Sequence, residues 1–149
     1  LLTTLKLSAK LPKNLIMTPH PGEASRLLGK SIDEIESDRF KAVSLLQKKF
    51  NCVVVLKGSG SLVCYSKGGK QQIGICEAGN PGMASGGMGD TLTGIIAGFL
   101  AQGLSLIEAA ELGVDIHAKA ADLKSLDTGE VGLLASDVLE EVRHLLKYE

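Results

Sequence analysis

Residues 52–58 read Cys-Val-Val-Val-Leu-Lys-Gly, an unbroken apolar, β-branched run that stops at a lysine and a glycine. A strand with one face in water alternates apolar and polar side chains. A strand that is apolar at every position has both faces covered, as in mainly parallel sheets lying between helices. That run confines the chain to layered α/β architectures. The neighbouring segments agree. Residues 15–18 form a short apolar strand running into Pro-His-Pro-Gly-Glu, and "SLVCYS" and "QQIGICEA" are two more strands joined by a Lys-Gly-Gly-Lys hairpin turn. Residues 23–28 are expected to form a short helix stopped by Gly29. Ser31, with Glu34 three positions on, makes a capping box for a helix through Phe40, Val43, Leu46 and Phe50. Further helices are expected over 90–101, over 105–124 with Leu106, Ala109, Ala110, Val114, His117 and Ala121 along one side, and in "GLLASDVLEEVRHLL" with Ser136 or Asp137 as its cap. The expected fold is α/β, a thin, mostly parallel sheet with a hairpin and helices on both faces.

The chain has 149 residues, 44% of them hydrophobic and 22% charged, which fits one globular domain. Its 16 basic and 17 acidic side chains leave a net charge of −1, so no basic excess points to nucleic acid. The longest apolar stretch, 95–100, is interrupted by Gly98 and is far shorter than the roughly 20 residues that cross a bilayer. Cys52, Cys64 and Cys76 form no CxxC pair and have no histidine at metal-ligand spacing. They read as small buried hydrophobes in a reducing compartment. No secretory signal is visible and a cytoplasmic location is expected, although the chain begins at Leu1 rather than at a methionine.

The segment most suggestive of chemistry is "GNPGMASGGMGDTLTGIIAGFL", residues 79–100, with seven glycines and one carboxylate, Asp90. Glycine loses more backbone entropy on ordering than any other residue, so such a run needs a reason. Successive N–H groups at a helix start attract an anion, and bare backbone lets a phosphate come close. The segment matches neither the P-loop nor the dinucleotide fingerprint. A plainer reading is a tight turn with Asp90 as helix N-cap. In the functional reading, an acid beside a bound phosphate either takes a proton from an attacking hydroxyl or helps to hold Mg²⁺. Gly94 and Gly98, one turn apart, are expected to let the following helix lie close to its neighbours. Lys57, just past the end of a buried strand, stands where open α/β sheets place ligands, although a lysine there is often only a solvated charge. His20 lies between Pro19 and Pro21, which restrict its backbone and aim its ring. His117 and His144 read as surface or hydrogen-bonded helix residues, and Asn80 as a weaker nucleotide contact.

Three motifs in order, "TPHPGEASRLLG" (18–29), "VVLKGSGSLV" (54–63) and "GNPGMASGGMGDTLTGIIAGFLAQG" (79–103), resemble the ADP/ATP-dependent NAD(P)H-hydrate dehydratases of the ribokinase-like superfamily. The resemblance implies repair of hydrated NADH or NADPH: phosphoryl transfer from ADP or ATP, with Mg²⁺, to the C6 hydroxyl, then loss of phosphate. Carried over by position, Asp90 is the catalytic acid and contacts the hydrated ring, with His20 as a second contact to the dinucleotide. Gly86, Gly87 and Gly89 are the anion hole, and Lys57, Gly58, Ser59, Gly60 and Ser61 the nucleotide segment. No protein-held metal is implied. A homo-oligomer, guessed as a tetramer, and a fused or separate epimerase domain are further expectations. Only 17 residues precede Thr18, fewer than in the family, so the chain is expected to be the C-terminal portion of a single ribokinase-like domain and poorly active alone. Two rivals are a ribokinase-like vitamin-precursor kinase and a non-catalytic nucleotide-binding or assembly module.

Overall fold

The computed structural model describes residues 11, 12 and 14–147. The chain divides into two compact units, residues 1–75 and 76–149. In the first, β1 (Ile16–Met17) leads through α1 (Pro21–Leu28), α2 (Ile32–Ser37) and α3 (Arg39–Phe50) to β2 (Val53–Leu56), β3 (Ser61–Lys67) and all but the last residue of β4 (Lys70–Cys76). The sheet order is β1-β2-β3-β4. β1 is parallel to β2, with Ile16 opposite Val53, and β2 is antiparallel to β3, with Val54 opposite Cys64. The sheet is therefore mixed over the described residues: its parallel part is the β1–β2 crossover, and the turn after Leu56 reverses the chain. The expected hairpin is present, with Gly68 and Gly69 both at positive φ, 59° and 75°.

All four residues of β2 are buried, as an unbroken apolar strand requires. Cys52, Val54 and Leu56 share a core with Ala24, Leu27, Ile35, Val43 and Leu46. The helices of this unit thus cover one face of β2, and α3 packs against both β2 and β3. Full burial of each large side chain there contributes about 1.5–3 kcal/mol. The helix expected to run unbroken from Ser31 to Phe50 is two helices. Asp38, at φ −149° and ψ 80°, ends α2 and caps α3, its Oδ1 accepting the Lys41 N–H at 2.9 Å. A short acidic side chain offers the backbone a local partner that competes with continued helix. Phe40, just after the break, is exposed.

The second unit holds a 3₁₀ turn (Pro81–Met83), α4 (Met88–Ala101), α5 (Leu106–Thr128) and α6 (Ala135–Leu145). Met88, Leu92, Ile95, Ile96 and Phe99 form the buried stripe of α4. Close approach of α4 and α5 does not use Gly94 or Gly98, where an added Cβ would meet nothing within 4 Å. It uses Gly113 of α5, where a Cβ would stand 2.5 Å from Ile96 Cγ1. The apolar stripe predicts which face of a helix is buried, but not which partner helix provides the gap. The N-terminus of α6 is at Leu134, whose N–H donates to Asp137 at 3.0 Å; Ser136 is no cap. His117 is neither on the surface nor hydrogen-bonded at Nε2 among the described residues. It is buried, and desolvation pushes its pKa down to about 4. Cys52 and Cys64 are buried, which lifts their thiol pKa values to about 11, whereas Cys76 is partly exposed. Among the described residues no helix is long and apolar enough to cross a membrane.

Candidate functional site

In the first unit the segments leaving β1 and β2 lie side by side, because the Lys57 N–H donates to Pro19 O at 2.9 Å. This brings His20 and Lys57 together at the carboxyl ends of two parallel strands, where such sheets bind ligands. His20 caps α1. Its Nδ1 accepts the N–H groups of Gly22 and Glu23 at 3.1 and 3.4 Å. An Nδ1 that accepts leaves the ring proton on Nε2, so the tautomer follows from the cap. The ring folds back over bare backbone, since a Cβ on Gly22 would lie 3.0 Å from His20 Cε1.

Glu23 closes the box. Its Oε2 accepts the His20 main-chain N–H at 2.7 Å, and lies 3.6 Å from His20 Nε2 and 3.8 Å from Lys57 Nζ. Sequence reading gave no role to this carboxylate, which joins both predicted residues. The signal was present as the spacing His-x-x-Glu, an N-cap followed by its N3 acid. Beyond Lys57 the turn carries Gly58 at φ 149° and Gly60 at φ 70°. Ser61 Oγ donates to Gly58 O at 3.4 Å. The N–H groups of Gly58, Ser59 and Gly60 have no acceptor among the described residues.

The second unit brings Gly86, Gly87, Gly89 and Asp90 together. Gly87 is the N-cap of α4 in the left-handed region, φ 87°, and no side chain caps the helix. The first N–H to find a carbonyl is that of Thr91, bonded to Gly87 O at 2.9 Å. The N–H groups of Met88, Gly89 and Asp90 precede it and have no acceptor within the helix. Asp90 is in the first helical turn, so the N-cap reading of it does not hold. Its carboxylate is exposed and has no hydrogen bond or ion pair among the described residues. Nothing crowds the position of a Cβ on Gly86 within 4 Å.

The beginning of the same turn is tied down. Asp122 on α5 accepts the Gly79 N–H at 2.8 Å and the Asn80 side-chain amide at 2.9 Å, and Asn80 Oδ1 accepts the Gly82 N–H at 3.0 Å. Asn80, expected to touch nucleotide, thus has its amide engaged in holding the turn. Ser85 Oγ donates to Leu133 O at 2.9 Å. No local pattern marks Asp122, which is far from Asn80 in sequence. A separate surface cavity of about 660 Å³, lined by Gln102, Leu104, Glu108, Glu111 and Asp115, involves none of the predicted residues.

A family model described as NAD(P)H-hydrate dehydratase matches residues 1–144. The chain is 56% identical over 131 residues to a bifunctional NAD(P)H-hydrate repair enzyme of Vibrio cholerae, covering 88% of this chain and 26% of that protein. It is 43% identical over 134 residues to an ADP-dependent (S)-NAD(P)H-hydrate dehydratase of Neisseria meningitidis, covering 89% of this chain and 44% of that one. In three dimensions it is similar to an ADP/ATP-dependent NAD(P)H-hydrate dehydratase from Bacillus subtilis co-crystallised with ATP/Mg²⁺. The TM-score is 0.84 at 28% identity, over 92% of this chain and 51% of the other. The fold is ribokinase-like α/β, and the chain spans about half or less of the proteins it matches.

Proposed function

The chain belongs to the NAD(P)H-hydrate dehydratase family, and from that premise we propose that it serves the nucleotide-dependent dehydration of hydrated NADH and NADPH. The observation that carries this reading is the start of α4: N–H groups with no side-chain cap, followed at once by a carboxylate with no partner among the described residues. Those N–H groups, with Gly86, Gly87 and Gly89, hold the terminal phosphoryl group of ADP or ATP. Asp90 takes the proton from the C6 hydroxyl of the hydrated ring, and that oxygen attacks the terminal phosphorus. The bond from phosphorus to the bridging oxygen breaks, releasing AMP from ADP or ADP from ATP. Phosphate then leaves C6 with its electron pair, a proton leaves C5, and the ring double bond is restored. Little covalent chemistry falls to the protein, so positioning and charge placement carry the rate.

In the same reading, Lys57 to Ser61 are a nucleotide-binding segment, and His20 offers its Nε2 proton to the hydrated dinucleotide. Glu23 orients His20 through its main chain and balances the Lys57 charge. Mg²⁺ fits as a counter-ion carried by the nucleotide phosphates. Among the described residues no group of three or more His, Cys, Asp or Glu is arranged to hold a metal, and Asp90 is the sole carboxylate on the glycine turn. When present, the ion neutralises phosphate charge. The free cysteines fit a cytoplasmic setting. A homo-oligomer, and an epimerase activity fused or separate, complete the proposal; the Vibrio cholerae relative is itself named bifunctional. The test is to give the full-length protein ADP or ATP with hydrated NADH and follow the reduced-nicotinamide absorbance. Recovery of that band with matching nucleotide cleavage supports the reading. Cleavage that phosphorylates a vitamin precursor, with no recovery of the band, supports a kinase instead.

A further inference from the structure

Arg39 is the first residue of α3, and a cation there faces the positive end of the helix dipole. Its placement needs a cause outside the helix. The break at Asp38 sets the start of α3 at this residue, and the side chain, only 16% exposed, reaches the turn that follows β2. Nη1 donates to Ser59 O, and Nη2 donates to Leu56 O at 3.3 Å. Glu36 Oε2 lies 4.0 Å from Nε and partly balances the charge. A planar fork can hold two carbonyls at once in a way that a single ammonium cannot.

Gly58 lies between those two carbonyls. Its φ of 149° suits glycine, and a Cβ there would stand 2.7 Å from Arg39 Nη2. The guanidinium thus occupies the space that a side chain at 58 would fill. With Gly58 O turned to Ser61 Oγ, the carbonyls of Leu56, Gly58 and Ser59 all face donors of the protein. Carbonyl oxygens repel a phosphate and N–H groups attract it. The geometry points to Arg39 as a positioning residue of the nucleotide turn: it draws the Leu56 and Ser59 carbonyls to itself and leaves the N–H groups of Gly58, Ser59 and Gly60 for an anionic ligand. The inference rests on the reading of residues 57–61 as the nucleotide segment.

The test uses full-length protein with ADP and ATP as probes. Arg39→Lys keeps the charge and removes the fork. Expected is a rise in nucleotide Kd and KM of roughly tenfold or more, with the KM for hydrated NADH changed by less than about twofold. Nucleotide constants that stay within about twofold of the parent in folded Arg39→Lys overturn the inference. So does an equal loss for both substrates, which marks a general loosening of the fold. Lys57→Ala separates the two levels. If it weakens nucleotide binding while Arg39→Lys does not, only the role of Arg39 falls; if neither does, the nucleotide assignment falls with it. Should Arg39→Lys not fold, Gly58→Ala, whose methyl group displaces the guanidinium, is judged by the same criteria.

Discussion

Two turns, one in each unit, reach a similar end by devices of opposite charge. The turn at 57–61 is fixed by a cation: Arg39 collects carbonyl oxygens. The turn at 79–89 is fixed by an anion: Asp122 collects the Gly79 N–H and, through Asn80, indirectly orders Gly82. In the first, the acceptors are withdrawn and the donors left over. In the second, the early donors are engaged and the later ones, at the start of α4, are left over. The lesson is that an anion site in backbone needs more than glycine. Some charged side chain has to decide which main-chain groups remain available.

The hardest blow to the second turn is expected from Asp90→Asn. It removes the proton acceptor while leaving the helix start intact, so kcat is expected to fall by about 10²–10⁴-fold. Thermal unfolding should barely move, because the carboxylate is exposed and without a partner among the described residues. An Asp90→Asn enzyme with near-parental kcat breaks the assignment. Asp122→Ala is next. It removes two hydrogen bonds, one exposed and one half-buried, and is expected to lower stability by about 1–3 kcal/mol in urea unfolding, and to weaken phosphate binding. Unchanged stability means that the carboxylate does not hold the turn.

The helix that carries Asp122 also carries an acid-sensitive point. The folded pKa of His117 is near 4, below the ordinary value of 6.5. The unfolded chain therefore binds the proton more readily between these values. This contribution to stability is complete above pH 6.5, shrinks as pH falls, and is lost fully by about pH 4. A loss of about 2 kcal/mol between pH 7 and 5 is expected, and His117→Gln should flatten that slope. The smallest effect is a gain: Gly94→Ala, on the open side of α4, should raise stability by about 0.5–1 kcal/mol. A loss there would mean that the bare backbone at 94 is needed for a close approach.

The layered fold was legible wherever one local rule acted without competition. The unbroken run at 53–56 became a fully buried strand, and Ser31 with Glu34 made its capping box. Legibility failed where two local rules compete or where a distant partner decides. Asp38 stops a helix whose apolar spacing continues through it, Gly113 provides the close approach expected of Gly94 and Gly98, and His117 disappears into packing. The candidate site divides in the same way. Gly86 to Asp90 and His20 stand in contiguous motifs, whereas Arg39 and Asp122 act across long stretches of chain and carry no motif of their own.

The most direct measurement is an ADP titration of ¹⁵N-labelled full-length protein, following the main-chain amides of Gly86, Gly87 and Gly89. Expected are downfield shifts of these three at nucleotide concentrations that also move the Lys57–Ser61 turn, with Gly94 and Gly98 left in place. Saturable ADP binding that leaves all three glycine amides unmoved would contradict a phosphate held by the start of α4.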